Sequence, residues 1–206
     1  NKQLGHKFDI QIVFSVPRVS LDKYFHNQTF EKNEKVFIIP LFPQYSNSTT
    51  GLIIDDIEKL LLKNNLKINP IIIKHFYHSL AFINNSVELI EESLKRNPSE
   101  HLVLSFHGIP KISVTKFNDP YYEHCLQTYS LIKERVKSIK NENIHISFQS
   151  RLGRQEWLGP YTDNLVNSLT KNKAHISIYC PSFVSDCLET LDEIGTLLRS
   201  KLLEVY

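Results

Sequence analysis

His101-Leu102-Val103-Leu104-Ser105-Phe106-His107-Gly108-Ile109-Pro110 decides how the rest of the chain is read. Leu102, Val103 and Leu104 follow one another without a polar break, so both faces of this strand are expected to be buried. That is the pattern of a parallel sheet covered by helices on two sides. Gly108 lets the backbone turn, and Pro110 removes a donor and ends the strand. Outward from here, further strands are predicted over residues 8–15, 35–42, 68–75, 144–148 and 174–180. Helices are predicted between them. Residues 49–62 place Ile53, Ile57, Leu60 and Leu61 on one face, and residues 86–96 gather Val87, Ile90 and Leu94. A helix over 120–139 starts behind Asp119 as N-cap with Pro120 in its first position. A short helix follows over 161–169, and a last one over 186–203 with Leu188, Leu191, Ile194, Leu198 and Leu202 at spacings of three and four. Strand and helix alternate, so the fold class is α/β, an open and mostly parallel sheet with helices on both faces.

Composition narrows the function classes. At roughly 150 residues per domain, the 206 residues suggest one large domain or one and a half. With 41% hydrophobic and 22% charged residues the chain has ordinary globular usage. A net charge of +2 is too small to argue for nucleic acid or an anionic membrane surface. Cys125, Cys180 and Cys187 are odd in number and widely spaced, with no C-x-x-C pair, so neither a disulfide framework nor a structural zinc is indicated. That usage suits a reducing compartment, and the cytoplasm is the expected location. No run reaches the length of a membrane span, and residues 1–7 do not read as a signal peptide. The chain begins at Asn1 and contains no Met, which leads us to expect a processed chain or a fragment.

In open α/β sheets ligands bind beyond the carboxyl ends of the strands. Four such ends stand out. The second strand runs into Pro40-Leu41-Phe42-Pro43-Gln44-Tyr45-Ser46-Asn47-Ser48-Thr49-Thr50-Gly51, whose hydroxyls and free N–H groups suit an anion, or simply cap the next helix through Ser48 or Thr49. His107 ends the fourth strand, where an imidazole serves as base, metal ligand or loop hydrogen bonder. After the fifth strand comes a loop with Trp157, Gln149, Arg151 and Arg154, which reads either as a pocket wall or as a packed connection. After the sixth, Asp186 and Glu189 fall on the first turn of the last helix, with Glu193 four residues beyond Glu189. Helix N-termini favour carboxylates on electrostatic grounds alone, but the Glu189–Glu193 pair could also relay a cation or a proton. The other histidines show no metal-ligand spacing, and there is no Walker A, G-x-G-x-x-G or G-x-S-x-G. The residues alone yield an α/β domain with His107 and Glu189 as site candidates.

The same segments resemble the ferrochelatase family. Leu41-Phe42-Pro43-Gln44-Tyr45-Ser46-Asn47-Ser48 is similar to its Pro-Gln-Tyr-Ser loop. Ser105-Phe106-His107-Gly108-Ile109-Pro110 with Asp119-Pro120-Tyr121 is similar to its signature. Phe148-Gln149-Ser150-Arg151 with Trp157-Leu158-Gly159-Pro160, and Phe183-Val184-Ser185-Asp186-Cys187-Leu188-Glu189, complete the set in the right order. Ser182 stands where the family often has Gly, and Cys187 where many members have His. A cobalt or nickel chelatase matches the third segment less well.

The resemblance implies two similar Rossmann-like, chelatase-like domains without a dinucleotide, the first incomplete here. The division it implies is 1–66 for the end of the first domain, 67–184 for the second, and 185–206 for a helix packing back toward the first. It implies insertion of Fe²⁺ into protoporphyrin IX, with His107 and Glu189 catalytic and His107, Glu189 and Glu193 as metal residues. Tyr45, Ser46, Trp157 and Phe183 are the implied porphyrin contacts. Two pyrrole protons must leave as iron enters. A flat macrocycle hides its nitrogen lone pairs, so the pocket has to bend it. Imidazole and carboxylate form a borderline N/O set for Fe²⁺, and either can take a proton. No cofactor beyond the substrate Fe²⁺ is expected, and no iron–sulfur cluster, because no cysteine-rich tail precedes Tyr206. Porphyrin and ferrous iron are the expected partners, with no nucleic acid, at most peripheral membrane contact, and a preceding segment needed to complete the cleft. The alternative is a truncated or degenerate chelatase-like domain that binds porphyrin, haem or metal without turnover.

Overall fold

The computed structural model describes residues 8–15, 18–31 and 34–205. In chain order the elements are α1 (Arg18–His26), β1 (Phe37–Ile38), a π turn (Asn47–Gly51) leading into α2 (Leu52–Lys63), β2 (Ile71–Ile72), α3 (Leu80–Arg96), β3 (His101–His107), α4 (Lys111–Thr115), α5 (Tyr121–Lys133), β4 (Ile144–Gln149), α6 (Thr162–Leu169), β5 (Ile176–Tyr179), and a π-helical stretch (Glu189–Leu198) that continues as α7 (Arg199–Val205). Among the described residues the named strands pair in parallel, in two sheets: β1 with β2, and β4-β3-β5 with β3 in the middle. The predicted α/β class with helices on both faces is what the chain forms.

The uninterrupted apolar run of β3 has the anticipated cause. Leu102, Leu104 and Phe106 face one side, where α3 and α5 supply Ile83, Ile90, Leu94, Cys125 and Ile132. Val103 faces the other side and meets Val166 of α6 and Leu198 of the π stretch. A side chain alternates faces along a strand, so only an element covered twice can bury every position. The second cluster, under β1, joins Leu21 and Phe25 of α1 to Ile57 and Leu60 of α2.

Several boundaries differ from expectation. Residues 8–15 form no strand: Phe8, Ile10, Ile12 and Phe14 are exposed, and their alternation has no neighbouring ladder to pair with among the described residues. The strands predicted over 35–42 and 68–75 shrink to two residues each. α1 escapes a periodicity reading because only Leu21 and Phe25, four apart, are anchored in the core. α3 starts earlier than predicted, where Ser79 accepts the N–H of Phe82. The helix predicted over 120–139 stops at Lys133, and Glu91 of α3 takes the freed N–H groups of Lys137 and Ser138. The loop before α2 is capped by Ser46, which accepts from Ser48 N, rather than by Ser48 or Thr49.

β2 pairs in parallel with β1, Phe37 opposite Ile71 and Ile38 opposite Ile72. In the last helix Ile194, Leu198 and Leu202 pack on Val103 and Val166. Its π geometry, with hydrogen bonds spanning five residues, carries a stripe spaced at three and four out of phase. Leu188 and Leu191 are therefore exposed while Leu198 is buried. Among the described residues no helix is long and apolar enough to cross a membrane.

Candidate active site

β3 delivers His107 to the end of the central strand, and a closed ring of hydrogen bonds fixes its backbone. The N–H of His107 donates to Ser182 Oγ at 3.2 Å, and the Tyr121 hydroxyl donates to the His107 carbonyl at 2.8 Å. The Tyr121 and Ser182 hydroxyls are 2.9 Å apart. Tyr121 has spent its one hydrogen on the carbonyl, so Ser182 is the donor in that last contact. Burial, first of all, raises the Tyr121 pKa well above its ordinary range, which keeps the phenol a donor. The imidazole is oriented in the same way. Nδ1 of His107 lies 2.6 Å from the Gly108 carbonyl, which can only accept, so Nδ1 carries a proton. In the neutral ring the Nε2 lone pair is then the free one.

Gly108 lies where an added side chain would push backbone aside. Its N–H donates to Gln149 O at 2.8 Å, and an added Cβ would sit 2.7 Å from that same oxygen and 3.4 Å from Trp157 Cε3. Trp157 is thus half-buried against the turn after His107, and its Nε1 donates to Leu152 O at 2.9 Å. Phe183 stands on another side, its ring centroid 6.0 Å from that of His107.

Glu189 opens the π stretch. Gln149, buried at the end of β4, donates from Nε2 to its carbonyl at 2.8 Å. The Glu189 carboxylate is held below the usual range, first by its own backbone N–H, then by the Cys187 thiol, and also by attraction to His107. Glu193 lies one turn on with both oxygens engaged by Ser150, from N at 2.7 Å and from Oγ at 2.6 Å. Ser150 has a φ of 64°, a left-handed conformation unusual outside glycine, and these bonds to Glu193 accompany it. Among the described residues no three His, Cys, Asp or Glu side chains are arranged to hold a metal ion by themselves.

The loop after β1 joins this end of the fold through α5. Ser46 is 1% exposed, and its hydroxyl donates to Asp119 Oδ2 at 2.8 Å. Asn47 N donates to the same oxygen at 2.8 Å, while Oδ1 accepts Tyr121 N at 3.0 Å. Asp119 therefore does more than cap α5: it fastens the Tyr45 loop to the helix that also carries Tyr121. Tyr45 itself is half-buried, and its hydroxyl contacts Asn47 Oδ1 at 3.2 Å. Of the residues singled out from sequence, Phe183 stands beside the His107 ring and Trp157 packs on the turn after it, while Glu189 is tied to the end of the neighbouring strand through Gln149. Ser46 instead turns its hydroxyl into the protein. A linear reading does not single out Tyr121 or Ser182 as site residues, and it places Gln149 only in the loop read as a pocket wall or a packed connection. Tyr121 sits in the Asp119-Pro120-Tyr121 segment, but nothing in a linear reading shows that its hydroxyl meets His107.

The class defined here is a parallel α/β domain whose central strand ends in an oriented imidazole, at the sheet end where such folds bind ligands. Comparison with known proteins makes the assignment specific. The ferrochelatase family model matches residues 1–205. The chain is 40% identical over 168 residues to a ferrochelatase of Proteus mirabilis, covering 79% of this chain and 50% of the relative. It is 40% identical over 171 residues to a coproporphyrin III ferrochelatase of Streptococcus mutans, covering 82% of this chain and 51% of the relative. It is 35% identical over 205 residues to a ferrochelatase of Haemophilus influenzae, covering 98% of this chain and 61% of the relative. The chain belongs to the ferrochelatase family, and it spans about half the length of the curated relatives that head this comparison.

Proposed function

We propose that the protein inserts ferrous iron into protoporphyrin IX in the cytoplasm, and that this chain supplies the His107–Glu189 part of the site. The observation that carries this reading is the imidazole that ends the central strand, its Nδ1 committed to Gly108 O, with Glu189 tied by its carbonyl to Gln149 at the end of the neighbouring strand. In this reading iron is a substrate. Two N–H bonds break, their electron pairs stay on the pyrrole nitrogens and bind Fe²⁺, two protons leave, and the metal stays ferrous. His107 Nε2 and the Glu189 carboxylate are the groups that receive a proton or hold iron briefly. Phe183 and Trp157 are apolar walls beside His107, and Tyr45 stands on the loop tied in by Asp119. Glu193 enters only when it lets go of Ser150. No resident cofactor is part of the reading.

The likeness to the Streptococcus mutans protein makes coproporphyrin III the competing porphyrin. The test is anaerobic incubation of the chain, and of a version extended at its N-terminus, with Fe²⁺ or Zn²⁺ and each porphyrin in turn. The expected result is the metalloporphyrin spectrum with protoporphyrin IX, lost in His107→Ala. Metallation of coproporphyrin III alone would replace the substrate. No product with either porphyrin in either version would sink the enzyme reading and leave a binding domain.

A further inference from the structure

Residues 44–47 are gripped one after another. Gln44 Nε2 donates to Thr128 Oγ1 at 3.1 Å and to Pro181 O at 3.3 Å. Tyr45 N donates to His124 Nδ1 at 3.2 Å. Ser46 Oγ and Asn47 N both go to Asp119. Three of these grips come from α5 and its lead-in: Asp119, His124 and Thr128. Only one of them depends on an imidazole. A ring nitrogen accepts an N–H only when it is unprotonated, so the Tyr45 contact requires His124 to be neutral, with its proton on Nε2.

The setting of that ring is built. His124 stacks on Tyr77 with centroids 4.0 Å apart and planes at 20°. The His75 ring lies 5.0 Å from it, and His78 lies 5.5 Å from His75. Tyr77 is itself held by Gln127 of α5, through a 3.0 Å bond from its hydroxyl. The cluster is not arranged as a metal site. We propose that His124 is a positioning residue: its neutral imidazole, seated on Tyr77 and His75, fixes the main chain of Tyr45 and so the place of the loop that faces the porphyrin. The part about porphyrin rests on the reading of Tyr45 given above.

The charges facing the ring are consistent with this role. Burial, then His75, then His78 disfavour the protonated form, against Asp119 and Glu123, and together they bring the His124 pKa down to about 4. His75 is lowered as well, by burial, His78 and Lys74. The acceptor thus stays available throughout the neutral range.

The test compares wild type, His124→Leu and His124→Asn by amide exchange of Tyr45, His124 ring titration and protoporphyrin IX titration. Asn offers an acceptor near the position of Nδ1, whereas Leu offers none. The expected result in Leu is Tyr45 exchange faster by at least about tenfold, the signature of a freed amide, with weaker protoporphyrin binding. Asn restores both. Wild-type Tyr45 protection holds at neutral pH and drops in step with the ring titration near pH 4; Asn shows no such step. Unchanged protection in Leu, or no wild-type step as the ring titrates, overturns the proposal. A freed amide in Leu with porphyrin affinity equal in all three upholds the positioning role and refutes Tyr45 as a porphyrin contact instead.

Discussion

Replacing Gly108 by Ala is the sharpest perturbation of the site. The new Cβ would sit 2.7 Å from Gln149 O, which is also the acceptor of the Gly108 N–H at 2.8 Å. An ordinary C···O approach is about 3.3–3.6 Å, so the backbones of β3 and β4 must part by about 0.6 Å. Parting them weakens the bond that closes the end of the sheet. Gln149 is held on its other side by Ser105 and the Glu189 carbonyl, so it cannot retreat freely. Forced overpacking costs about 1–3 kcal/mol and a lost hydrogen bond about 0.5–1.5 kcal/mol. The expected loss is about 2–4 kcal/mol, which in a chain of this size lowers Tm by roughly 4–16 °C. Urea unfolding followed at the emission of Trp157, the only Trp in the chain, reads the change beside the substitution. Gly153→Ala is the control. Its φ is 73° and nothing lies within 4 Å of the added Cβ, so only the left-handed backbone is at stake; that costs about 1–2 kcal/mol. A Gly108→Ala loss under about 0.5 kcal/mol, the range of an uninvolved surface change, would refute the contact argument. So would a larger loss at Gly153.

Other outcomes follow from the same contacts. Tyr121→Phe opens the ring around His107 and leaves the Ser182 hydroxyl and the His107 carbonyl short of a partner. A loss of about 1–3 kcal/mol is expected, read from the urea midpoint, and an unchanged midpoint would mean the ring does not form. Burial is the leading cause lowering the pKa values of His75, His124 and His145 below 6.5. The unfolded chain therefore binds protons more readily than the folded one as pH falls below 6.5, and stability should drop between pH 7 and 5. A urea midpoint that stays level or rises over that window would contradict the assignment.

Much of the fold is legible in a linear reading because it rests on local spacing. The run from Leu102 to Phe106 shows burial on two faces, and the Ile83, Ile90, Leu94 and Tyr121, Cys125, Ile132 rows follow helical periods. The short strands of the first sheet and the phase of the last helix were not legible. Pairing of Phe37 with Ile71 depends on a neighbour 34 positions away, and the π geometry of Glu189–Leu198 on packing against Val103 and Val166.

The α/β class, the family resemblance and the position of His107, Phe183, Trp157 and Glu189 near strand ends can be read along the chain, since motif order and periodicity are written along one dimension. What holds those residues in place comes from contacts between distant segments. The orientation of His107 comes from Ser182, Tyr121 and the Gly108 carbonyl, and the engagement of Glu193 from Ser150. The seat of the Tyr45 loop comes from Asp119 and His124. Most of these contacts join residues tens of positions apart, and a hydrogen bond is set by distances within about 3 Å, which no spacing along the chain can encode.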